Sequence, residues 1–396
     1  MALVVQKYGG SSVATPEDIK RVARGIVEEH RKGNQMVVVV SAMGDTTDHL
    51  VEMARAVSQN PPEREMDMLL SVGERISIAL LAMAISDLGH EAISFTGSQV
   101  GIITDDRHTE ARILEVRGLR IREALESGKI VIVAGFQGVS VNKEITTLGR
   151  GGSDTTAIAL AAALHADRCE ILKDVEGVYV AEPRLIPQTG LNPQISYDEM
   201  IEMANMGAGV LKTESVEFAR HNKVNVAVGS SFSGNIGTII TEQPHNSSAI
   251  SGIVGQKGMA HLKIVTRDPV LKHRLNQQMA ARGVKVQAYV LQPESLEMVI
   301  QRRFLPVLEK SLQAINGEGE IPQWICNDSI GIIGIIGTGL NFNSDNAARV
   351  FRALERLQIS PELLQVSELR VSWIMPEEKI DKTVKLLYRE LLGNQH

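Results

Sequence analysis

Over the first 240 residues, short β-branched runs alternate with helical stretches, and that rhythm leaves few folds open. Residues 3–6, 36–41, 92–96, 130–135, 169–173 and 224–228 read as strands, with helix patterns between them. Strand–helix alternation of this kind predicts an α/β unit with a mainly parallel sheet and helices on both faces, where ligands sit at the carboxyl ends of the strands. The glycines fall at those ends. At 396 residues and 43% hydrophobic content the chain is too long for one ordinary domain and can bury two or three cores.

The rhythm changes after a polar stretch, TEQPHNSSAIS, that lacks apolar periodicity. Residues 260–266, 284–291, 296–302 and 324–327 then read as strands, with helices near 271–282 and 304–315, one βαββαβ unit. A second copy is expected from 329 onward, with strands at 331–338, 362–366 and 370–374 and helices near 345–357 and 377–392. The expected division is therefore a first domain over 1–242, a linker over 243–252, and small modules over 253–328 and 329–396.

A formal charge of -6 without a long run of either sign provides no footprint for nucleic acid or an anionic membrane, so small-molecule partners are expected. Only Cys169 and Cys326 are present, outside any C-x-x-C spacing, which fits a reducing cytoplasm. Lys7 and two glycines stand where a signal peptide would need its apolar core, and no targeting or membrane segment is read. The histidines, 30, 49, 90, 108 and 165 among them, show no metal-ligand spacing and are expected at the surface or as satisfied core residues.

Five clusters carry candidate chemistry. Lys7-Tyr8-Gly9-Gly10-Ser11-Ser12 follows a strand, so backbone N–H groups can approach phosphate oxygens and the lysine adds a point charge; an ordinary strand-to-helix turn fits the same residues. Neither G-x-x-x-x-G-K-[ST] nor G-x-G-x-x-G occurs. Ser41 to Asp48 (SAMGDTTD) places hydroxyls and amides on the same rim, although Ser, Thr and Asp also cap helices for local reasons. Glu74, in SVGERIS, can accept a substrate ammonium group or pair with Arg75. In TTLGRGGSDTT, Arg150 can grip a carboxylate, the amides of Gly151 to Ser153 point at phosphate, and Asp154 can hold Mg²⁺ or orient the loop. In KDVEGVYVAEPR, Tyr179 can flank an adenine with Arg184 near the phosphates.

Taken together, KYGGSS at Lys7, SAMGDTTD at Ser41, VGERIS at Val72, SFTGSQVGI at Ser94, GFQG at Gly135, TTLGRGGSD at Thr146 and KDVEGVY at Lys173 resemble the aspartokinases, within the amino-acid kinase fold, in order and spacing. A K-x-G-G start alone would also suit carbamate, acetylglutamate, glutamate or uridylate kinases. The C-terminal units resemble the ACT modules with which aspartokinases sense pathway end products, and VSELRVS at Val366 resembles the family's last strand.

The resemblance implies ATP-dependent phosphorylation of the L-aspartate side chain, the first step toward lysine, threonine and methionine. It places Lys7, Gly9, Gly10 and Ser11 near the ATP phosphates, Ser41 and Thr47 at the substrate pocket, Glu74 on the substrate ammonium and Arg150 on its α-carboxylate. Ser153 and Asp154 would bridge substrate and nucleotide with Mg²⁺, and Lys173, Asp174, Tyr179 and Arg184 would line the nucleotide pocket. It also implies an amino-acid effector and a homo-oligomer paired through the ACT-like modules.

Three features depart from the family pattern: Gly209, Lys173 and the loops of the first ACT-like unit. Gly209 stands where a nucleotide-binding lysine is usual, and Lys173 where Ser or Thr is usual, so Lys173 or Lys212 is expected to supply the missing charge. In the first ACT-like unit the family's D-K-P-G loop reads Arg267-Asp268-Pro269-Val270, and Pro293 replaces an Asn after Gln292, which predicts weak or absent inhibition by lysine and threonine. These departures leave two other readings open: a relative recruited to a specialised pathway, acting on aspartate or a related amino acid without feedback control, and a weakly catalytic regulatory partner.

Overall fold

The structure is a computed structural model that describes residues 1–149, 151–244, 250–315, 323–338, 340 and 344–393. The chain divides into two compact units, residues 1–180 with 190–247, and residues 181–189 with 248–396.

The first unit carries, in chain order, strands β1 (Leu3–Tyr8), β2 (Gln35–Val40), β3 (Ala92–Phe95), β4 (Ile102–Thr104), β5 (Ile113–Val116), β6 (Ile130–Ala134), β7 (Gln137–Ser140), β8 (Ile145–Thr147), β9 (Arg168–Lys173), β10 (Gln194–Ser196), β11 (Val226–Ser230) and β12 (Ile236–Thr241). Its helices are α1 (Pro16–Arg31), α2 (Thr46–Val57), α3 (Glu63–Leu70), α4 (Val72–Ser86), α5 (Leu119–Glu126), α6 (Gly152–Leu164), α7 (Tyr197–Asn205) and α8 (Thr213–His221). Eight strands form one sheet in the order β10-β12-β11-β9-β1-β2-β6-β3, parallel throughout except for β11 with β12. The six strands expected from sequence lie in it. The sheet is buried on both faces because its central strands, such as Val37 to Val40 and Ile130 to Val133, are apolar at every position and fully enclosed.

Around β2, the α1 residues Ile19, Val22 and Ile26 and the α4 residues Ile78, Leu81 and Ile85 close one core. The α1 helix starts at a reciprocal capping box between Thr15 and Asp18, with Pro16 at its first position. A second, four-stranded sheet, β5-β4-β7-β8, has no counterpart among the strands expected from sequence. Helices α3 and α4 together make a 24-residue stretch, Glu63–Ser86, apolar and long enough to cross a membrane by length and composition alone. Its buried residues Leu70, Ile78, Leu81 and Ile85 pack into the unit, and Glu74 is enclosed within it, as in a core helix.

The second unit carries β13 (Gly252–Val265), α9 (Pro269–Ala281), β14 (Val286–Leu291), β15 (Ser295–Gln301), α10 (Leu305–Ile315), β16 (Trp324–Ile336), α11 (Ser344–Arg356), β17 (Glu362–Val366), β18 (Arg370–Pro376) and α12 (Ile380–Leu392). Two α+β modules are present, yet they share one antiparallel sheet in the order β14-β15-β13-β16-β18-β17. Strand β13 pairs through Gly252 to Gln256 with Ile332 to Ile336 and through His261 to Ile264 with Trp324 to Asn327. The division expected at 328/329 falls inside β16, because each of these long strands serves both halves of the sheet. The last strand of the second βαββαβ pattern comes from Gly252 to Gln256, upstream of the first module. The expected linker falls partly on residues 245–249, outside the described residues.

Candidate active site

Parallel pairing brings the carboxyl ends of four strands to one rim. Lys7 of β1 is in register with Val39 of β2 and Ile171 of β9, and Val40 with Ala134 of β6. Lys7, Ser41, Gly135 and Lys173 therefore leave the sheet side by side. The turn after β1 needs its glycine: a Cβ on Gly10 would stand 2.8 Å from the Ala42 carbonyl oxygen, while the Gly44 N–H donates to the Gly10 carbonyl at 3.1 Å. Ser11 is exposed in that turn, and Ser12, fully buried, donates to Ser231 Oγ at 2.8 Å.

The start of α6 faces the same rim. Its N-cap, Gly151, has φ 83°, a left-handed conformation that glycine adopts freely. A Cβ there would meet Lys212 Cγ at 2.6 Å, so the Lys212 stem lies across this glycine. Ser153 and Asp154 occupy the first turn, where the helix dipole favours a carboxylate. Arg150 lies outside the described residues.

One buried carboxylate joins two lysines. Lys7 Nζ is 2.6 Å from Asp154 Oδ1, an ion-pair contact without hydrogen-bond alignment, and Lys173 Nζ donates to Asp154 Oδ2 at 2.9 Å and to the Val210 carbonyl. The cluster carries a net positive charge when all three groups are ionised. Burial acts to raise the Asp154 pKa, but Lys7 and Lys173 together hold it down to about 2. Burial pulls the Lys7 ammonium below its ordinary value, with Asp154 opposing the shift. Asp154 is the member whose charge is secure at neutral pH, since two cations act on it.

Glu74, in the first turn of α4, is 3% exposed. Its Oε1 accepts the Ala42 N–H at 3.1 Å, and its Oε2 is buried with no hydrogen-bond partner. Among the described residues it makes no ion pair with Arg75. Burial pushes its pKa up to about 7, against the pull of backbone N–H donors and of Lys7. A buried carboxylate oxygen left without a donor is costly to the fold, and a cationic ligand group would relieve it.

Thr47 sits in the first turn of α2, half-buried. Asp174 is exposed just after β9, and Tyr179 is half-buried and bridged to Leu191. Arg184 belongs to the segment Ala181–Thr189 and so to the second unit. No cluster of three or more metal-ligating side chains occurs among the described residues. Two features of this region escaped the sequence reading. Phe136 adopts φ 67° just after β6, a conformation no residue type announces. Asp67 is fully buried on α3, and its spacing of seven from Glu74, two turns along one helical face, was the available signal.

Comparison with known proteins adds an independent line. Residues 2–230 match the model of the amino acid kinase family, and residues 333–391 match an ACT domain. The aspartokinase of Mycolicibacterium smegmatis is 44% identical, with 98% of this chain and 96% of the relative aligned. That of Geobacillus stearothermophilus is 42% identical over 98% of this chain and 97% of its own length. The fold matches Escherichia coli aspartokinase III, solved with aspartate and ADP, at a TM-score of 0.84 and 23% identity, over 98% of this chain and 99% of that one. Synechocystis aspartate kinase is 38% identical at a TM-score of 0.57, over 98% of this chain and 69% of that one.

Proposed function

The chain belongs to the amino acid kinase family and, within it, to the aspartokinases, and from that premise we propose that it transfers the γ-phosphoryl group of ATP to the side-chain carboxylate of L-aspartate, yielding 4-phospho-L-aspartate and ADP. The observation that carries this reading is the unpartnered inner oxygen of Glu74 on the same unit as the buried Lys7–Asp154–Lys173 cluster. An acid with one oxygen left unpaired and a cluster with surplus positive charge match an α-amino acid and a polyphosphate.

In this reading Glu74 takes the aspartate ammonium and Arg150 its α-carboxylate, with Ser41, Thr47 and Ser153 contributing hydroxyls around the substrate. Gly9, Gly10 and Ser11 offer the phosphates backbone amides, and Lys173, Asp174 and Tyr179 line the nucleotide side. The attacking β-carboxylate is ionised at neutral pH, so the protein has little proton transfer to perform. Positioning and charge neutralisation do the work. As the β–γ bond breaks, charge moves onto its bridging oxygen, and the ammonium of Lys7 stabilises it there. Asp154 keeps that ammonium in place through Oδ1, 2.6 Å away, and its carboxylate would be the protein's ligand to Mg²⁺. The remaining oxygen ligands would come from phosphates and water, and the bound ion would offset phosphate charge.

Hydroxamate trapping of the product from Mg-ATP and L-aspartate, with glutamate and other amino acids in parallel, tests the reading. Turnover on aspartate is expected, and silence with every amino acid would overturn it. Glu74 adds a pH signature. Its carboxylate is protonated below about 7 and charged above. Because only the charged form attracts an ammonium, kcat/KM for aspartate should rise with pH through an apparent pKa near 7. Glu74→Gln should lose that rising limb; a profile identical to the parent's would exclude Glu74 from the ammonium site.

The second unit supports weak feedback control. Lys272 Nζ donates to the Gln292 and Pro293 carbonyls at 2.6 and 3.0 Å, Asp268 Oδ1 accepts the Val270 N–H at 2.8 Å, and Arg267 pairs with Glu294. Groups that a loop-bound amino acid would use are already engaged by this chain. Saturating lysine or threonine should change the rate by less than about twofold, below the roughly 5- to 150-fold of ordinary allosteric coupling. Strong dose-dependent inhibition in the same hydroxamate assay would contradict this. Self-association through the edge strands β14 and β17, and a cytoplasmic setting consistent with two free cysteines, belong to the same reading.

A further inference from the structure

Asp67 is 0% exposed and has no lysine or arginine partner among the described residues. Its carboxylate instead gathers three contacts from two distant segments. Oδ1 accepts from Thr147 Oγ1 at 2.5 Å and from the Thr109 N–H at 3.0 Å, and Oδ2 is 2.6 Å from His108 Nδ1. A carboxylate withdrawn from water is an expensive way to fill a core, so three convergent partners call for a reason beyond packing.

Both segments lead to the glycine-rich turn. Thr147 is the last residue of β8 and stands three positions before Arg150. Thr109 has φ 62°, which a β-branched residue rarely adopts, and its N–H is one of the three contacts. Its carbonyl oxygen lies 3.3 Å from where a Cβ on Gly149 would stand, and the Ala111 N–H donates to the Thr147 carbonyl at 2.9 Å. Loop 105–111 is thus laid against β8 and Gly149, with Asp67 fastening both. On the far side of the turn, Gly152 N–H donates to the Gly149 carbonyl at 3.0 Å, which ties the same turn to the start of α6.

We propose that Asp67 is a positioning residue for the amino-acid substrate: through Thr147 and Thr109 it sets the path of the chain into the turn at Gly149, the residue that precedes Arg150 in the sequence. This rests on the reading of Arg150 as the group that takes the aspartate α-carboxylate. It predicts an effect confined to one of the two substrates, which a role in stability alone would not produce.

The test begins with Thr147, where single-atom changes are mild. Thr147→Val removes one hydroxyl at nearly constant volume and should raise KM for aspartate about tenfold, with kcat and KM for ATP within about twofold. Thr147→Ser, which restores the hydroxyl, should bring KM for aspartate back to within about twofold of the parent. Asp67→Asn should raise KM for aspartate about thirtyfold, and adding Thr147→Val should worsen it little, as for two residues acting through one contact. Equal shifts in both KM values, or a lowered melting temperature with unchanged kinetics, would overturn the proposal. If Asp67→Asn does not fold, the Val and Ser pair at Thr147 decides alone. Arg150→Ala, measured alongside, separates the two levels. Unchanged KM for aspartate in that variant would sink the site reading, whereas a raised KM there with a silent Thr147→Val would sink only the role of Asp67.

Discussion

Lys7→Ala is expected to abolish phosphoryl transfer while the protein remains folded, with kcat lower by about a thousandfold or more. The size follows from the surroundings. Lys7 is 5% exposed and lies 2.6 Å from Asp154, so its ammonium acts in a medium that screens charge far less than water does. Water, being uncharged, cannot replace the full positive charge that the proposal assigns to Lys7. Asp154 would not be stranded, because Lys173 still holds its other oxygen at 2.9 Å, and burial already works against the Lys7 charge in the folded state. Hydroxamate formation by the variant, read beside its circular dichroism and melting curve, gives the answer. Near-normal activity would refute the assignment of Lys7.

The second large effect concerns the lysine that this chain carries on β9. Lys173 reaches from the end of that strand to Asp154 and to the Val210 carbonyl, the residue next to Gly209. Lys173→Thr should lower kcat/KM for ATP about a hundredfold. Gly209→Lys placed in that background should recover most of the loss, because a Cβ at Gly209 meets no heavy atom within 4 Å and the backbone there is not left-handed. Gly209→Lys by itself should change little. The pair would then show strong coupling in a double-mutant cycle, and additive effects would mean that the two positions do not share one charge. Lys212→Ala serves as the control, since its stem lies across Gly151; unchanged affinity for ATP there leaves the role to Lys173.

The parallel sheet was readable in the sequence because its central strands are apolar at every position, as Val37 to Val40 shows, and a strand of that kind has only one environment to occupy. The rim was readable too, since Lys7, Gly10, Ser41 and Gly151 follow strands or open a helix within a few residues. What could not be read depends on pairing across distance. Strands β4 and β8 span three residues each, too few to show a period, and they exist because β5 and β7 lie beside them. Asp67 draws its contacts from residues 41, 42 and 80 positions away. From sequence, Lys173 and Lys212 are equal candidates for the charge missing at Gly209, and it is the approach of Lys173 to Val210 that favours Lys173.

The two strands common to both halves of the second unit bear on what can be cut from this chain. Gly252 to Gln256 open the first strand of that unit's sheet, yet their partners, Ile332 to Ile336, are synthesised about eighty residues later. Until then the early segment has an open edge, and the first half-sheet is likewise incomplete until Trp324 to Asn327 emerge. A product begun at Met259 would carry helices α9 to α12 and still lack the strand that completes its second half. The two modules can therefore be gained, lost or transplanted only as a pair, and any functional fragment must begin upstream of Gly252.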